Sequence, residues 1–188
     1  MVNSATADRK ETKQLIQQAL EKVKDGVPST FLPMIEEALL KIELEGLSPA
    51  EAMGISQELI EEIYENGYHF FQSGKFKDAL VIFNFLTQLA GGNDPRFTFA
   101  IAAAHHHLKN YNEAVGYYML YEMIHPASPL PYYHLYDCFK KMGNPELALA
   151  ALMTADKIAG DNPAHAGLKA KIEVELKHQQ SSEEEEKV

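Results

Sequence analysis

An alanine that recurs at a spacing close to 34 residues is the feature that most constrains how this chain can fold. Three segments align around it: SGKFKDA ends at Ala79, LKNYNEA ends at Ala114 and KMGNPELA ends at Ala148. The same register places Gly67, Ala102 and Tyr136 twelve positions before each alanine, and Phe83, Tyr118 and Leu152 four positions after it. A period of this length, with small residues set against large ones, is typical of stacked helix–turn–helix units.

The period is that of the tetratricopeptide repeat, so we predict repeats at residues 60–93, 95–128 and 129–162. Candidate helix starts recur as well, since a capping side chain precedes a proline at Asp94, Ser128, Asn144 and Asn162. No segment of useful length alternates with a period of two. The predicted fold class is therefore all-α: a superhelix of three helix–turn–helix repeats, with N-terminal helices and a C-terminal capping helix.

Helical periodicity extends to both sides of the repeats. Residues 10–58 form a predicted N-terminal helical region, with a capping box at Ser48–Glu51. Residues 163–178 carry apolar side chains at helical spacing, which predicts a helix that covers the exposed end of the solenoid. Residues 1–9 are predicted to be a disordered lead and the acidic residues 179–188 a disordered tail, because runs of charge are usually solvated.

Composition excludes several classes of partner. The chain has 46% hydrophobic residues, which predicts a globular protein, yet its formal net charge is -10. Without a basic stripe, neither nucleic acid nor an anionic membrane is an expected partner. The one cysteine, Cys138, suits a reducing compartment and is expected to be a small buried residue. Neither a signal peptide nor a membrane span is evident, so a cytoplasmic protein without membrane insertion is predicted.

No constellation of residues predicts an enzyme. The sequence has no phosphate-binding loop, nucleophile elbow or spaced carboxylate pair, so no catalytic residue is assigned. The histidines at 105–107 cannot converge on one ion, because adjacent helical residues point about 100° apart. No histidine or acid lies four residues from any of them. We expect no metal and no cofactor, and we assign His106 and His107 as polar groups that line a groove.

The first helix of each repeat lines the concave face of a tetratricopeptide array. The residues predicted to lie there are Glu61, Tyr64, Tyr68, Phe71 and Gln72, then Arg96, Phe99, Ala103, His106 and His107, then Leu130, Tyr133, Asp137, Lys140 and Lys141. Phe70 and Phe83 are expected to pack within the first repeat, whereas Tyr64, Tyr68 and Phe71 have no predicted partner there. Since an exposed apolar surface marks a binding site, we predict a groove that binds a peptide.

Other arrangements would bury the same rings: the N-terminal helices could fold over the groove, or a dimer could cover it. The N-terminal apolar stripe also needs cover, either from the chain's own repeats or from a second copy; its residues, a predicted dimerisation surface, are Leu15, Ile16, Leu20 and Val23. The groove lacks the carboxylate clamp that grips heat-shock chaperones, because Tyr64 and Tyr68 replace its lysine and asparagine. An extended, partly apolar peptide is therefore the predicted ligand.

Residues 54–86, together with DPRFTFAIAAAHHHLKNY and SPLPYYHLYDCFKKMG, resemble the class II chaperones of bacterial type III secretion, the SycD/IpgC type. The matching motifs are Ile55-Ser56, Tyr64, Tyr68, Gln72-Ser73-Gly74-Lys75, Asp78-Ala79, Asp94 and Arg96-Phe97. The resemblance covers about residues 53–176. It implies a cytoplasmic three-repeat chaperone for two hydrophobic translocator proteins, with dimerisation through the N-terminal helices.

The resemblance also implies where the client binds. An extended client segment of the P-x-L-x-x-P type would lie in the concave groove, lined or bordered by Tyr64, Tyr68, Phe71, Phe76, Leu89, Phe99 and Tyr118. His106 and Tyr133 join this set from the groove positions given above. The alternative function is that of a tetratricopeptide adaptor that joins two cytosolic proteins.

Overall fold

The computed structural model describes residues 2–92 and 94–185, and the surroundings of side chains from residue 9 to residue 179. These residues form ten α-helices with short turns and no strand, which confirms the all-α prediction. They divide into two compact units, residues 1–66 with 85–93 and residues 67–84 with 94–188. None of the helices in the described ranges is long and apolar enough to cross a bilayer.

The first unit is built on helices α1 (Val2–Val23), α2 (Leu32–Glu45) and α3 (Pro49–Ala52), with parts of α4 (Gln57–Gln72) and α5 (Phe76–Leu89). Helix α1 packs on α2, where Gln17 donates a hydrogen bond to Glu36 at 3.0 Å. Gly46 ends α2 with a φ of 70°, a left-handed conformation that glycine adopts without strain. The predicted capping box is present, because Ser48 and Glu51 bond each other's backbone N–H.

The N-terminal apolar stripe is only partly covered by the chain itself. Ile16 is buried and Leu20 is half-buried, whereas Leu15 is 60% exposed and Val23 is 52% exposed. The structure therefore leaves part of the predicted dimerisation surface open to solvent.

Both ends of the described chain are more helical than predicted. Residues 2–9, predicted to be a disordered lead, belong to α1, and residues 179–185 of the predicted tail belong to the last helix. Neither stretch contains proline or glycine, so each added residue extends a helix that is already nucleated. Residue 1 and residues 186–188 lie outside the described residues.

The second unit contains the rest of α4 and α5, followed by α6 (Pro95–His107), α7 (Tyr111–Ile124), α8 (Leu130–Lys141), α9 (Pro145–Ala159) and α10 (Ala166–Glu185). From α6 to α10, each helix packs on the next. The positions that recur in the sequence meet in one core, which contains Ala102, Ala114, Tyr118, Tyr136, Ala148 and Leu152. The repeat therefore encodes where consecutive helices touch.

The contact between α4 and α5 requires glycine at position 67. A Cβ atom built on Gly67 would lie 2.8 Å from the ring of Phe83 and 2.9 Å from Ile82. These distances are shorter than real carbon contacts, so any side chain would force the two helices apart. Phe83, which has no exposed surface, fills the space that Gly67 leaves.

The turn between the two helices of each repeat has a residue with left-handed backbone conformation at the equivalent position. Gly74, Lys109 and Gly143 have φ values of 74°, 63° and 75°, at spacings that follow the repeat. In each turn the next residue donates a backbone hydrogen bond to the carbonyl five residues earlier: Lys75 to Phe70, Asn110 to His105 and Asn144 to Phe139. This pattern satisfies carbonyls at the end of the first helix. Lys109 adopts this left-handed conformation although it has a Cβ atom, which makes the conformation less favourable than it is for glycine.

The helix starts follow the prediction except at α8 and α9. Asn144 precedes Pro145 at the start of α9 as predicted, but its side chain makes no capping hydrogen bond. Asp94 accepts a hydrogen bond from the backbone N–H of Arg96 at 2.9 Å, so it caps α6 as predicted. Asn162 caps in the same way at 3.0 Å, although its first turn, Pro163–His165, is a 3₁₀ helix. Helix α8 begins at Leu130 with Pro129 at its N-cap, one residue later than predicted.

Helix α10 is the predicted capping helix. Ile172 is fully buried in the core that α8 and α9 share, and Leu168 and Leu176 pack against that core. The Tyr136 hydroxyl donates to Glu175 at 2.5 Å, and Lys169 pairs with Asp156 at 2.7 Å. These polar contacts attach α10 to both helices of the third repeat.

Candidate peptide-binding site

Rings from successive helices of the second unit form one continuous series of contacts. We call this series the ring cluster; its members are Tyr68, Phe71, Phe76, Phe99, His106, His107, Tyr118, Tyr121, Tyr133 and His134. The cluster joins α4, α6 and α8, which are the first helices of the three repeats, with support from α5 and α7. A surface that follows the first helices is thus built from flat, stiff side chains.

At the α4 end, the cluster is apolar and open to solvent. The ring of Phe71 meets Phe76 and His107 edge to face, each at 5.2 Å between centroids. Phe76 stacks on His107 at 4.5 Å, with the two planes 9° apart. Tyr68 lies parallel to Phe71 at 6.4 Å and is 48% exposed. Such offset and edge-on pairs fix the orientation of the rings before any ligand arrives.

In the middle of the cluster, a polar network ties three helices together. His106 Nε2 lies 2.8 Å from Asp137 Oδ2, and His106 Nδ1 lies 3.4 Å from the Tyr118 hydroxyl. The network is satisfied when His106 donates its Nε2–H to Asp137 and Tyr118 donates to Nδ1. Partly buried polar groups that are paired in this way favour one arrangement of neighbouring helices.

His134 lies beside this network, between aromatic rings. It stacks on Tyr118 at 5.1 Å with the planes 5° apart, and Phe99 meets it edge to face at 5.6 Å. Burial, with a smaller contribution from His106, lowers the pKa of His134 to about 4. The imidazole is therefore uncharged at neutral pH and behaves as part of the aromatic surface.

Stability should consequently fall in acid. Because the folded-state pKa of His134 lies below the ordinary histidine value, the unfolded chain binds more protons between pH 6.5 and 4. We expect the free energy of unfolding to decrease by up to about 3 kcal/mol as the pH falls through this range. Urea titrations at several pH values would measure the slope. The variant His134→Phe keeps a ring against Tyr118, and its stability should depend clearly less on pH. An equal slope in this variant would contradict the low pKa of His134 as the cause.

Most of the residues predicted to contact a client lie in the ring cluster: Tyr68, Phe71, Phe76, Phe99, His106, Tyr118 and Tyr133. Tyr118 requires a correction, because it has no exposed surface. It fills the repeat's core position and supports Phe99 and His134 from below, so its side chain cannot touch a client in this structure. Tyr64 and Leu89 belong to the other unit, where Tyr64 is half-buried and Leu89 is 5% exposed.

Two features of the site were missed by the sequence analysis. One is His134, which lies four residues before Cys138 and so shares its buried helix face. The other is the bond between His106 and Asp137, two residues that were both predicted to line the groove on neighbouring first helices. The alignment of the repeats could have indicated this contact, because it places both residues on the groove side of adjacent helices.

The structure confirms the expected burial of Cys138. Its side chain has no exposed surface, and burial raises the pKa of the thiol to about 12. A thiol that stays protonated at neutral pH is a poor nucleophile. Among the described residues, no group of three or more histidine, cysteine or acidic side chains is arranged to hold a metal ion.

The tetratricopeptide repeat family matches residues 60–91 and 96–125 of the chain. The low calcium response locus protein H of Yersinia pseudotuberculosis serotype I (strain IP32953) is 25% identical over 118 residues, which cover 63% of this chain and 70% of that protein. PcrH of Pseudomonas aeruginosa, solved in complex with the chaperone-binding region of PopD, is 26% identical with a TM-score of 0.64. That alignment covers 69% of this chain and 97% of PcrH.

The chain contains tetratricopeptide repeats and is similar in sequence and fold to the type III translocator chaperones. The resemblance drawn from the motifs of the first repeat is thereby confirmed. The fold also matches that of the Yersinia enterocolitica type III secretion translocator chaperone SycD, at 24% identity and a TM-score of 0.65 over 70% of this chain and 97% of SycD.

Proposed function

We propose that this chain is a chaperone of a bacterial type III secretion system that binds hydrophobic translocator proteins. The observation that carries the proposal is the ring cluster, a preformed apolar surface along the first helices of the repeats. The complex of PcrH with the chaperone-binding region of PopD supports the binding of a client segment by a chain of this fold. The bound client segment is extended and lies along the cluster, as the P-x-L-x-x-P pattern implied.

The chemistry of the surface selects an apolar client. His134 is uncharged at neutral pH and stacks among aromatic rings, and the Asp137 carboxylate beside it is held by its hydrogen bond to His106. A leucine side chain gains from contact with the ring faces at about 25 cal/mol per Å² of apolar area removed from water. A proline-containing segment is already extended, so binding orders it at a small cost in entropy.

Binding a translocator segment prevents two unwanted outcomes. Free translocators expose apolar segments that aggregate or insert in the wrong membrane. A complex with this chain keeps such a segment covered, and the net charge of -10 favours solubility of the loaded complex. The compartment in which this happens is the bacterial cytoplasm, before secretion.

Dimerisation through the N-terminal helices forms part of the proposal. Leu15 and Val23 are exposed on α1 and would be covered by a second copy. SycD, which shares the fold, has been crystallised as an alternative dimer.

Co-expression with the hydrophobic translocators of the same secretion system tests the function. We expect a translocator to stay soluble and to co-purify with the chain, and to precipitate when expressed alone. The physical reason is that the client segment is covered only in the complex. Solubility that does not depend on this chain would contradict the chaperone function. Co-purification of two soluble proteins, with the translocator still insoluble, would support the adaptor alternative instead.

A further inference from the structure

An open cavity of about 340 Å³ lies between α8 and α10 in the second unit. Its lining is Tyr133, Ala170, Lys171, Val174 and Glu175. The volume is at the lower end of the range for ligand pockets, which leaves room for a side chain and its neighbour rather than for a whole segment. Three of the five lining residues supply apolar walls, and the other two bring charges to the rim.

The cavity continues the ring cluster. Tyr133 belongs to both, because it lines the cavity while its ring lies 6.1 Å from that of His134. A peptide that follows the rings along α4, α6 and α8 therefore reaches this cavity at the third repeat. Helix α10, which closes the solenoid, supplies the opposite wall.

The rim of the cavity has one uncompensated charge. The Glu175 carboxylate already accepts hydrogen bonds from Tyr136 at 2.5 Å and from Lys140 at 3.3 Å. Lys171 is exposed and, within the part of the chain that the structure describes, takes part in no hydrogen bond or ion pair. It lies close enough to His134 to act on that ring's charge. Counted over Lys171, Glu175 and Lys140, the rim has two positive charges against one negative charge, on a chain whose net charge is -10.

We propose that this cavity is the terminal subsite of the client-binding groove and that it takes an apolar side chain flanked by an aspartate or glutamate. The apolar walls receive the side chain, and the Lys171 ammonium pairs with the client carboxylate. The net negative charge of the chain disfavours acidic segments in general. The local positive charge of Lys171 therefore favours clients whose acidic residue lies at the end of the segment that reaches this cavity. The inference rests on the proposed function, because it assumes that a client segment occupies the ring cluster.

Labelled peptides with a Pro-Ala-Leu-Ala-Ala-Pro core test the subsite. One has a flanking Leu-Asp pair, one Leu-Lys and one Leu-Ser, each placed at either end of the core. On the full chain, Lys171→Glu should weaken binding of the aspartate peptide roughly 5- to 10-fold, since attraction becomes repulsion at an exposed site. The same variant should strengthen the lysine peptide and leave the serine peptide unchanged, as measured by fluorescence anisotropy.

Two further variants separate the subsite from general effects. Lys177→Glu makes the same change of charge on α10 at a residue outside the cavity lining, and it should leave the preference between peptides unaltered. Ala170→Trp fills the cavity and should weaken the flanked peptides while sparing the bare core. Equal effects of Lys171→Glu and Lys177→Glu, or none from either, would overturn the subsite alone. Failure of every peptide to bind the unaltered chain would overturn the proposed function, and the subsite with it.

Discussion

Phe83→Ala should lower the free energy of unfolding by about 3–5 kcal/mol. The Phe83 ring has no exposed surface and fills the space opposite Gly67, so its removal leaves a cavity between α4 and α5. The loss combines the transfer of a large apolar side chain with the contacts that surrounding atoms no longer make. Urea denaturation followed by circular dichroism would measure the change from the shift in the midpoint.

Val81→Ala is the matched control, because Val81 lies on the same helix but is 69% exposed. Its replacement should change the free energy of unfolding by no more than about 0.5 kcal/mol. If both variants lost similar stability, the packing of α5 described above would be wrong. A normal midpoint for Phe83→Ala would contradict it as well.

The double variant Tyr68→Ala with Phe71→Ala should weaken binding of the Pro-Ala-Leu-Ala-Ala-Pro peptide by about 1,000-fold. Aromatic anchors at binding surfaces commonly contribute about 2 kcal/mol each, and two of them would supply this loss. Phe71 holds the contacts to Phe76 and His107, and Tyr68 adds an exposed ring face beside it. Fluorescence anisotropy on the full chain would give the affinity, with circular dichroism to confirm that helical content is unchanged.

Met119→Ala with Met123→Ala is the matched control for this loss of binding. Both methionines are exposed apolar residues of the second unit, at 53% and 76%, but they lie on α7 outside the ring cluster. This pair should leave the peptide affinity unchanged. Equal losses in the two double variants would show that the peptide recognises exposed apolar surface in general, and unaltered affinity in the aromatic variant would place the site elsewhere.

Much of the fold was predictable because a repeat protein is organised by local contacts. Each repeat contacts mainly its neighbouring repeats. Positions such as Ala114 and Ala148 therefore face equivalent partners and recur at a constant interval. The capping of α6 by Asp94 and the burial of Ile172 on the last helix followed from equally local patterns. The extents of α1 and α10 were harder to predict, because a polar or charged stretch shows no apolar period whether or not it is helical.

The candidate site was only partly predictable, because exposure depends on more than a residue's register. Tyr118 was assigned to the client surface, yet its side chain has no exposed surface and packs against His134 and Phe99. The neutral state of His134 arises from burial by several helices, which no local pattern encodes. The cavity between α8 and α10 depends on the angle at which the capping helix docks on Tyr133 and Tyr136.

By itself the amino-acid sequence determined the all-α class, the three helix pairs, the placement of rings on their first helices and the translocator-chaperone resemblance. The first three follow from periodicity and composition, which short-range steric and hydrophobic effects translate directly into helices and their buried faces. The resemblance rests instead on the motifs of the first repeat and of the entry to the second. Tertiary structure alone decided which rings meet, that Tyr118 lies beneath the surface, that His106 bonds Asp137, and that α10 completes a cavity beside Tyr133. Those outcomes depend on distances between residues far apart in the chain, and such distances are set only when the helices pack together.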